Sequence, residues 1–290
     1  MTDRVLVAIT HDGRYRARAA TTTEITREAI RRHGAGPLAA EALARAVTCA
    51  AVFPATWKDC ERVSVQWSGG GPLRTLMAEI RPGGLVRGYV GQPAAGARCD
   101  HDGYRGIAHG LLPAGFVVVI RQNINGTFQQ GQITLPSGEI DEDLEAFFET
   151  SDQVPTRLRA MTQIDAETGD VAHAAGVLVQ ALPDDYPPEL AEASSFEDFA
   201  PTTSPEDLLE RALGRPYDVL EEIPLTFACP CSRGRMADGI ALLEVDELLD
   251  MINEDQGASV RCDYCGESQR FNREELEDIM VRKVTGKNDT

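Results

Sequence analysis

The sequence lacks any long apolar run. Its longest aliphatic stretch, Phe116 to Ile120, is far shorter than the roughly 20 residues that a membrane-spanning helix needs. The N-terminal segment MTDRVLVAITHDGR contains no apolar region of signal-peptide length. We therefore expect a cytoplasmic protein that neither spans nor binds a membrane.

Positive charge is scarce as well. The 28 Lys and Arg residues face 46 Asp and Glu residues, which gives a formal net charge of −18. Such a charge repels a phosphate backbone and argues against nucleic acid as a partner. No glycine-rich loop is followed by Gly-Lys-Ser/Thr, so we expect no nucleotide partner and a function independent of ATP.

Four of the seven cysteines form the most informative motif. Cys229 and Cys231 make one close pair, and Cys262 and Cys265 make a second pair after a 30-residue excursion. Two such pairs predict one tetrahedral, all-thiolate zinc site. Because four protein ligands leave no open position for a substrate, the pattern indicates a structural or switching site, not an enzyme. Pro230 alone separates the first pair, a narrower spacing than usual.

The other cysteines show no comparable pattern. Cys49, Cys60 and Cys99 have no partner at metal-ligand spacing, and an odd total argues against a permanent disulfide framework. Cys99 lies near His101 and His109, but no nucleophile elbow or oxyanion loop accompanies them. Two alternatives therefore stay open from the residues: a thiol-disulfide oxidoreductase, and a constitutive zinc-ribbon module for protein interaction.

Charge divides the chain into three segments. Residues 1–183 are nearly neutral, residues 184–228 carry 12 acidic and 2 basic side chains, and residues 229–290 carry 14 and 8. The middle segment, rich in proline, is predicted to be a metastable linker, apart from a helix that Ser204 and Asp207 can cap. The last segment is too small to be stabilised by a hydrophobic core alone.

The first segment is predicted to be α+β, with a mixed α/β-sheet core. The pattern favours strands at 4–20 around an Asp12-Gly13 turn, then helices at 23–33, capped by Thr23, and from Pro37. Further strands are expected at 63–67, 74–80, 85–90, 116–120, 127–134 and 174–182, with a helix at 140–150. The acidic run Glu139 to Glu145 is interpreted as a solvated helix face.

In the third segment we expect two short helices, a hairpin with the second cysteine pair at its turn, and a last helix capped by Asn272 and Glu275.

The segment Phe227-Ala-Cys-Pro-Cys-Ser-Arg233, with Cys-Asp-Tyr-Cys at 262–265, closely resembles the 33 kDa heat shock protein family, the redox-regulated holdase chaperones. The resemblance covers nearly the whole chain. Its further signposts are His33 with Pro37, Trp57-Lys58, Gly71-Pro72-Leu73, and the segments 86–90, 151–156 and 179–183. The chain has Gly234 where that family usually has a glutamate.

The resemblance implies a substrate-binding core domain (1–183), a metastable linker (184–228) and a redox switch (229–290). It implies that Cys229, Cys231, Cys262 and Cys265 bind Zn²⁺ when reduced. It also implies that oxidation forms two disulfides, Cys229 with Cys231 and Cys262 with Cys265. The expected function is an ATP-independent holdase of the stress response that binds partly unfolded clients and forms a homodimer when oxidised. Arg233, Arg235 and Arg261 are expected to favour the thiolate form.

Overall fold

The computed structural model describes residues 2–55, 59–95, 107–112, 114–165, 170–182 and 204–285. Lys58, Cys99 and His101, together with the side chain of His109, lie outside that description. The chain forms two compact units, Met1–Ala228 and Cys229–Thr290. The predicted α+β class is confirmed, since both units combine helices with antiparallel strands.

The first unit contains eleven strands and five helices within the described residues. They are β1 (Arg4–Thr10), β2 (Tyr15–Thr21), α1 (Thr23–His33), α2 (Pro37–Ala51), β3 (Cys60–Gly69), β4 (Thr75–Arg81), β5 (Leu85–Val90), α3 (Ala108–Leu111), β6 (Gly115–Asn123), β7 (Phe128–Thr134), α4 (Ile140–Thr150), β8 (Thr156–Ile164), β9 (Val171–Ala181), α5 (Pro205–Leu213), β10 (Tyr217–Pro224) and β11 (Thr226–Phe227).

These strands form two sheets. The five-stranded sheet has the order β10-β1-β2-β9-β8 and is antiparallel throughout. The six-stranded sheet has the order β11-β5-β4-β3-β6-β7, in which only the short β11–β5 pair is parallel. Helix α2 packs on strands of both sheets, and its alanines and Leu43 and Val47 are buried.

The start of α1 differs from the prediction. Thr22, not Thr23, precedes the first helical residue, and neither threonine supplies a side-chain cap. Asp3 does so from the beginning of β1: its Oδ2 accepts a hydrogen bond from the amide of Ile25 at 2.7 Å. A carboxylate from another part of the chain therefore accepts the hydrogen bond of a free amide at the N-terminus of α1, where a local side chain would normally be the acceptor.

The interpretation of the acidic run as a solvated face is wrong for two of its residues. Asp141 and Asp143, in the first turn of α4, are buried. Asp141 pairs with Arg45 of α2 and accepts from the amide of Ala160 at 3.1 Å. Asp143 accepts from the amide of Ser137 at 2.9 Å. Asp141 thus joins α4 to α2 and β8, and Asp143 closes the loop directly before α4, so both buried carboxylates have polar partners.

Residues 204–228, assigned from the sequence to the linker, belong to the first unit. Ser204 and Asp207 form the predicted capping box on α5. Helix α5 packs on one face of the five-stranded sheet, where it contacts β1, β2 and β9. Its buried side chains there are Leu208, Leu209, Ala212 and Leu213. Strand β10 then adds to the edge of that sheet. Residues 184–203 lie outside the description, so the three-part division remains a prediction.

The second unit consists of α6 (Arg233–Ala241), α7 (Val245–Asn253), the hairpin strands β12 (Gly257–Arg261) and β13 (Ser268–Asn272), and α8 (Arg273–Thr285). The predicted order of elements is confirmed. So is the last cap: Asn272 and Glu275 exchange amide-to-side-chain hydrogen bonds, each of 2.9 Å. Only eight buried apolar residues make up the core of this unit in its described part.

Candidate metal centre

The structure brings the four predicted ligands together in the second unit. Cys229 and Cys231 precede α6 in extended chain, and the side chain of Ser232 caps that helix by accepting from the amide of Arg235 at 3.2 Å. Cys262 follows β12 and Cys265 lies in the turn to β13. Because a helix starts directly after one pair and a tight turn carries the other, both pairs point their sulfurs to one place.

The turn that carries the second pair is closed by main-chain hydrogen bonds. The amide of Cys262 donates to the carbonyl of Glu267 at 2.9 Å, and the amide of Gly266 donates to the carbonyl of Cys262 at 2.8 Å. Gly266 has φ +71°, a conformation that glycine adopts without a side-chain clash. A glycine at this position therefore lets the chain reverse directly after Cys265.

The four sulfurs have the spacing of a metal-ligand set. All four Sγ atoms lie within 4.8 Å of one another. Sγ of Cys229 is 3.7 Å from that of Cys262, and Sγ of Cys231 is 3.2 Å from that of Cys265. Tetrahedral Zn–S bonds of about 2.3 Å place sulfurs roughly 3.8 Å apart. The residues present therefore fit a four-coordinate thiolate site, and they can hold a metal ion.

The electrostatics of the free thiols favour a cation at the centre. Burial, followed by the neighbouring sulfurs, raises the pKa of Cys231. Burial also raises the pKa of Cys265, which is only 4% exposed. Four thiols this close cannot ionise together unless positive charge lies among them, and a bound divalent cation supplies that charge.

Two of the three arginines expected to favour the thiolate form make their hydrogen bonds to groups other than the sulfurs. Arg233 donates to the carboxylate of Glu275 at 2.6 Å and to the carbonyl of Arg270 at 2.7 Å, and it stacks over the ring of Phe271. Arg261 donates to the carbonyl of Gly266 at 3.4 Å. No arginine is among the causes of the shifted cysteine pKa values. Arg233 instead ties α6 to β13 and α8.

Sequence reasoning missed the contacts that fix the chain just before the centre. The amide of Leu225 donates to the carbonyl of Asp3 at 2.9 Å, and the amide of Thr226 to the carbonyl of Gly84 at 3.0 Å. The amide of Ala228 then donates to the carbonyl of Val86 at 3.0 Å. All three acceptors are main-chain oxygens, so no residue type could have indicated them.

The remaining candidates do not join this cluster. Cys49 is fully buried in α2, and the Sγ of Cys60 donates to the carbonyl of Arg62 at 3.3 Å. Within the described residues, the four C-terminal cysteines are the one group with metal-ligand geometry. None of the described helices is long and apolar enough to cross a membrane.

Comparison with known proteins gives the family. The sequence profile of the family described as Hsp33 protein matches residues 3–272. The chain belongs to the Hsp33 family. Members of this family are molecular chaperones and not enzymes, so the oxidoreductase alternative loses its support.

Individual relatives of the Hsp33 family match along nearly their whole length. A 33 kDa chaperonin of Geobacter sulfurreducens is 36% identical, over 96% of this chain and 94% of the relative. One from Geobacillus sp. (strain WCH70) is 32% identical, over 96% and 97%. The crystal structure of the Thermotoga maritima 33 kDa chaperonin superimposes with a TM-score of 0.87 at 27% identity, covering 98% of this chain and all of that one. The fold of the family is thus shared across both units.

Proposed function

We propose that this chain is a redox-regulated, ATP-independent holdase of the cytoplasm, held inactive by Zn²⁺ on Cys229, Cys231, Cys262 and Cys265. The observation that carries the proposal is the convergence of these four sulfurs, all within 4.8 Å of one another, in a unit with a very small core. Structural zinc contributes roughly 10–16 kcal/mol of apparent folding free energy in small peptides. That range exceeds what a core of eight residues supplies.

Oxidation removes the ligands. Each close pair, Cys229 with Cys231 and Cys262 with Cys265, gives up two electrons and forms one S–S bond. Two equivalents of a two-electron oxidant such as hydrogen peroxide accept the four electrons and, with four protons, leave as water. The four residues would then no longer hold Zn²⁺, because disulfide sulfur is a poor ligand. The second unit then loses its main source of stability and unfolds.

Unfolding reaches the first unit through the chain before Cys229. Residues 225–228 are attached there by three main-chain hydrogen bonds, to Asp3, Gly84 and Val86, by the buried side chain of Leu225, and by the ring of Phe227 under the guanidinium of Arg32. Strand β10 has mostly exposed side chains, and residues 184–228 carry a net charge of −10. We infer that this segment detaches once the second unit no longer holds its end. Detachment uncovers the apolar surface under α5, which consists of Leu6, Ala8, Tyr15, Ala17, Ala19, Ala175, Val177, Val179 and Ala181.

The uncovered surface is the proposed client-binding surface. Unfolding proteins expose apolar side chains of their own, so they are held there without turnover. The same surface favours self-association, and we propose a homodimer for the oxidised form. Reduction and return of zinc restore the covered state.

One experiment tests the proposal. Zinc release is followed with a chromogenic chelator while light scattering records the aggregation of a chemically denatured client, using reduced and peroxide-treated protein. We expect suppression near stoichiometric amounts by the oxidised form alone, in step with zinc release. Equal suppression by both forms would instead support a constitutive zinc-ribbon module. Suppression by neither form would exclude a holdase.

A further inference from the structure

Strand β10 is attached to the sheet mainly through its backbone. It pairs antiparallel with the whole of β1, from Arg4 opposite Pro224 to Thr10 opposite Tyr217. It is the edge strand, so its other side has no strand neighbour in the described part of the sheet. Its side chains bury little: Val219 is 48% exposed and Leu220 is 63% exposed. Main-chain hydrogen bonds, which do not depend on side-chain identity, therefore account for most of the attachment.

Two side chains near the ends of β10 are partly buried: Tyr217 packs against the cluster under α5, and Ile223 packs against the main core. The other side-chain contacts of β10 are exposed. Glu222 pairs with Arg4 at 3.1 Å, and Asp218 lies 3.2 Å from the ring of His11. Exposed pairs of this kind stabilise a protein by about 1 kcal/mol or less. The register is also imperfect, because Leu220 is the extra residue of a bulge between Val219 and Glu221. Between Tyr217 and Ile223, nothing in these contacts requires the particular sequence of β10.

Loss of β10 would leave a strand-binding edge. β1 would keep β2 on one side and present the main-chain groups of Arg4–Thr10 on the other. A long, apolar, unpaired edge is a template for another strand. Leu6 and Ala8 of β1 lie on the face that α5 covers. Since α5 is joined to β10 through the short turn at residues 214–216, the edge and the adjoining apolar face would open together.

We propose that the active form binds an extended segment of an unfolded client by antiparallel strand addition to β1, at the place that β10 fills in the structure. The proposal rests on the proposed function and specifies its client site. Strand β10 is then an internal occupant that blocks the site in the resting form. Folded proteins pair their own backbone groups and protect their sheet edges, whereas an unfolded segment offers free donors and acceptors. This mode of binding selects unfolded clients without selecting a sequence.

The test uses a fluorescent peptide with the sequence of residues 215–224, RPYDVLEEIP. Two modified peptides of the same sequence carry N-methyl groups at alternate residues, one set in each phase. A strand has one edge toward β1 and one toward solvent, so only one phase removes the donors that pairing needs. Side chains are identical in all three peptides, which makes the second phase the matched control for the first.

Binding is measured by fluorescence anisotropy with the full chain, reduced and oxidised. We expect the oxidised chain to bind the unmodified peptide and one methylated phase equally, and the other phase at least about tenfold more weakly. The reduced chain should bind all three weakly, since β10 is in place. Hydrogen exchange should show the amides of Arg4–Thr10 protected by the bound peptide.

Each other outcome has a separate meaning. Equal binding of all three peptides would overturn strand addition in favour of capture by apolar surface alone. Aggregation suppression by the oxidised chain without peptide binding would overturn this inference and leave the proposed function standing. Failure of both forms to suppress aggregation would remove the proposed function itself. Protection of β1 that rises with protein concentration and needs no peptide would assign the edge to a second copy of the chain, and would also overturn the inference.

Discussion

The amide of Ala228 donates to the carbonyl oxygen of Val86 at 3.0 Å, and the next residue in the chain is Cys229. The last backbone hydrogen bond of the segment 225–228 to the first unit is therefore one residue from the first proposed zinc ligand. Under the proposed function, unfolding at the metal centre acts on this attachment through the backbone that joins them.

Gly84 provides a test of the attachment on the side of the first unit. A Cβ at this position would meet the carbonyl oxygen of Pro224 at 2.0 Å, where β10 ends. Gly84→Ala should therefore displace the end of β10 and favour detachment. We expect client holding by the reduced, zinc-loaded variant and faster hydrogen exchange in β10.

Gly83→Ala is the matched control for that variant. Gly83 has φ +77° and Gly84 has φ +74°, so both substitutions carry the same backbone strain of about 1–2 kcal/mol. A Cβ on Gly83, however, has no atom within 4 Å. Similar reduced-state activity in the two variants would show that strain, and not the contact with Pro224, is responsible.

Removal of one sulfur tests the metal centre. Cys265→Ser leaves three thiolates and should lower bound zinc below one equivalent, measured by elemental analysis of the reduced protein. Loss of tetrahedral coordination should also unfold the second unit, seen as loss of hydrogen-exchange protection in α6–α8. Cys60→Ser is the control, because the Sγ of Cys60 bonds only to a local carbonyl in the first unit. Full zinc occupancy and protection in Cys265→Ser would contradict the proposed ligand set.

The convergence of the four cysteines could be predicted from sequence because thiols and their spacing are properties of residue type. Helix α4 and strand β5 could also be predicted from sequence: their predicted bounds, 140–150 and 85–90, are those observed. Strand β10 was missed because nearly all its side chains are exposed, so no apolar alternation marks it. Its position depends on main-chain bonds to β1, which leave no trace in the residues.

Strand β8 was missed although its sequence carries a signal: Thr156, Leu158 and Ala160 are buried and alternate with arginines, the pattern of a half-buried strand. The miss at Asp141 has another origin. Asp141 seemed solvated because its partners, Arg45 and the amide of Ala160, lie far away in sequence. A local pattern cannot reveal a partner that only tertiary structure supplies.

Gly234 offers a way to tune the switch. It is exposed in the first turn of α6, which has no acidic residue, and its Cβ would meet only the Oγ of Ser232 at 3.8 Å. Gly234→Glu should stabilise the second unit by about 1–2 kcal/mol, through helix propensity and interaction with the helix dipole. We expect slower zinc release at a fixed peroxide concentration, followed with a chelating dye.

Gly239→Glu separates the two contributions. Gly239 lies near the C-terminal end of the same helix, and its Cβ would also meet open space. Both substitutions replace a glycine and gain about 1 kcal/mol of helix propensity. At Gly239, however, the glutamate lies near the negative end of the helix dipole, which destabilises it. If both variants slowed zinc release equally, the electrostatic contribution at Gly234 would be ruled out.

Asp3 predicts a pH dependence for the first unit, to which it contributes both its carboxylate at α1 and its carbonyl to Leu225. Burial raises the pKa of Asp3 from 3.8 to about 6. The folded state therefore binds the proton more tightly than the unfolded chain, so stability falls as pH rises from about 4 to about 6 and stays lower above that. Asp3→Asn has no such penalty, and its stability relative to the wild type should rise by about 3 kcal/mol over this interval. Urea unfolding followed by tryptophan fluorescence measures this change in stability, because both tryptophans precede residue 228.

Asp12→Asn is the control. The hydroxyl of Thr10 lowers the pKa of Asp12 to about 2, so the effect of this substitution on stability should not change between pH 4 and 7. A pH-independent effect of Asp3→Asn would show that the carboxylate is ionised at no cost in the folded state.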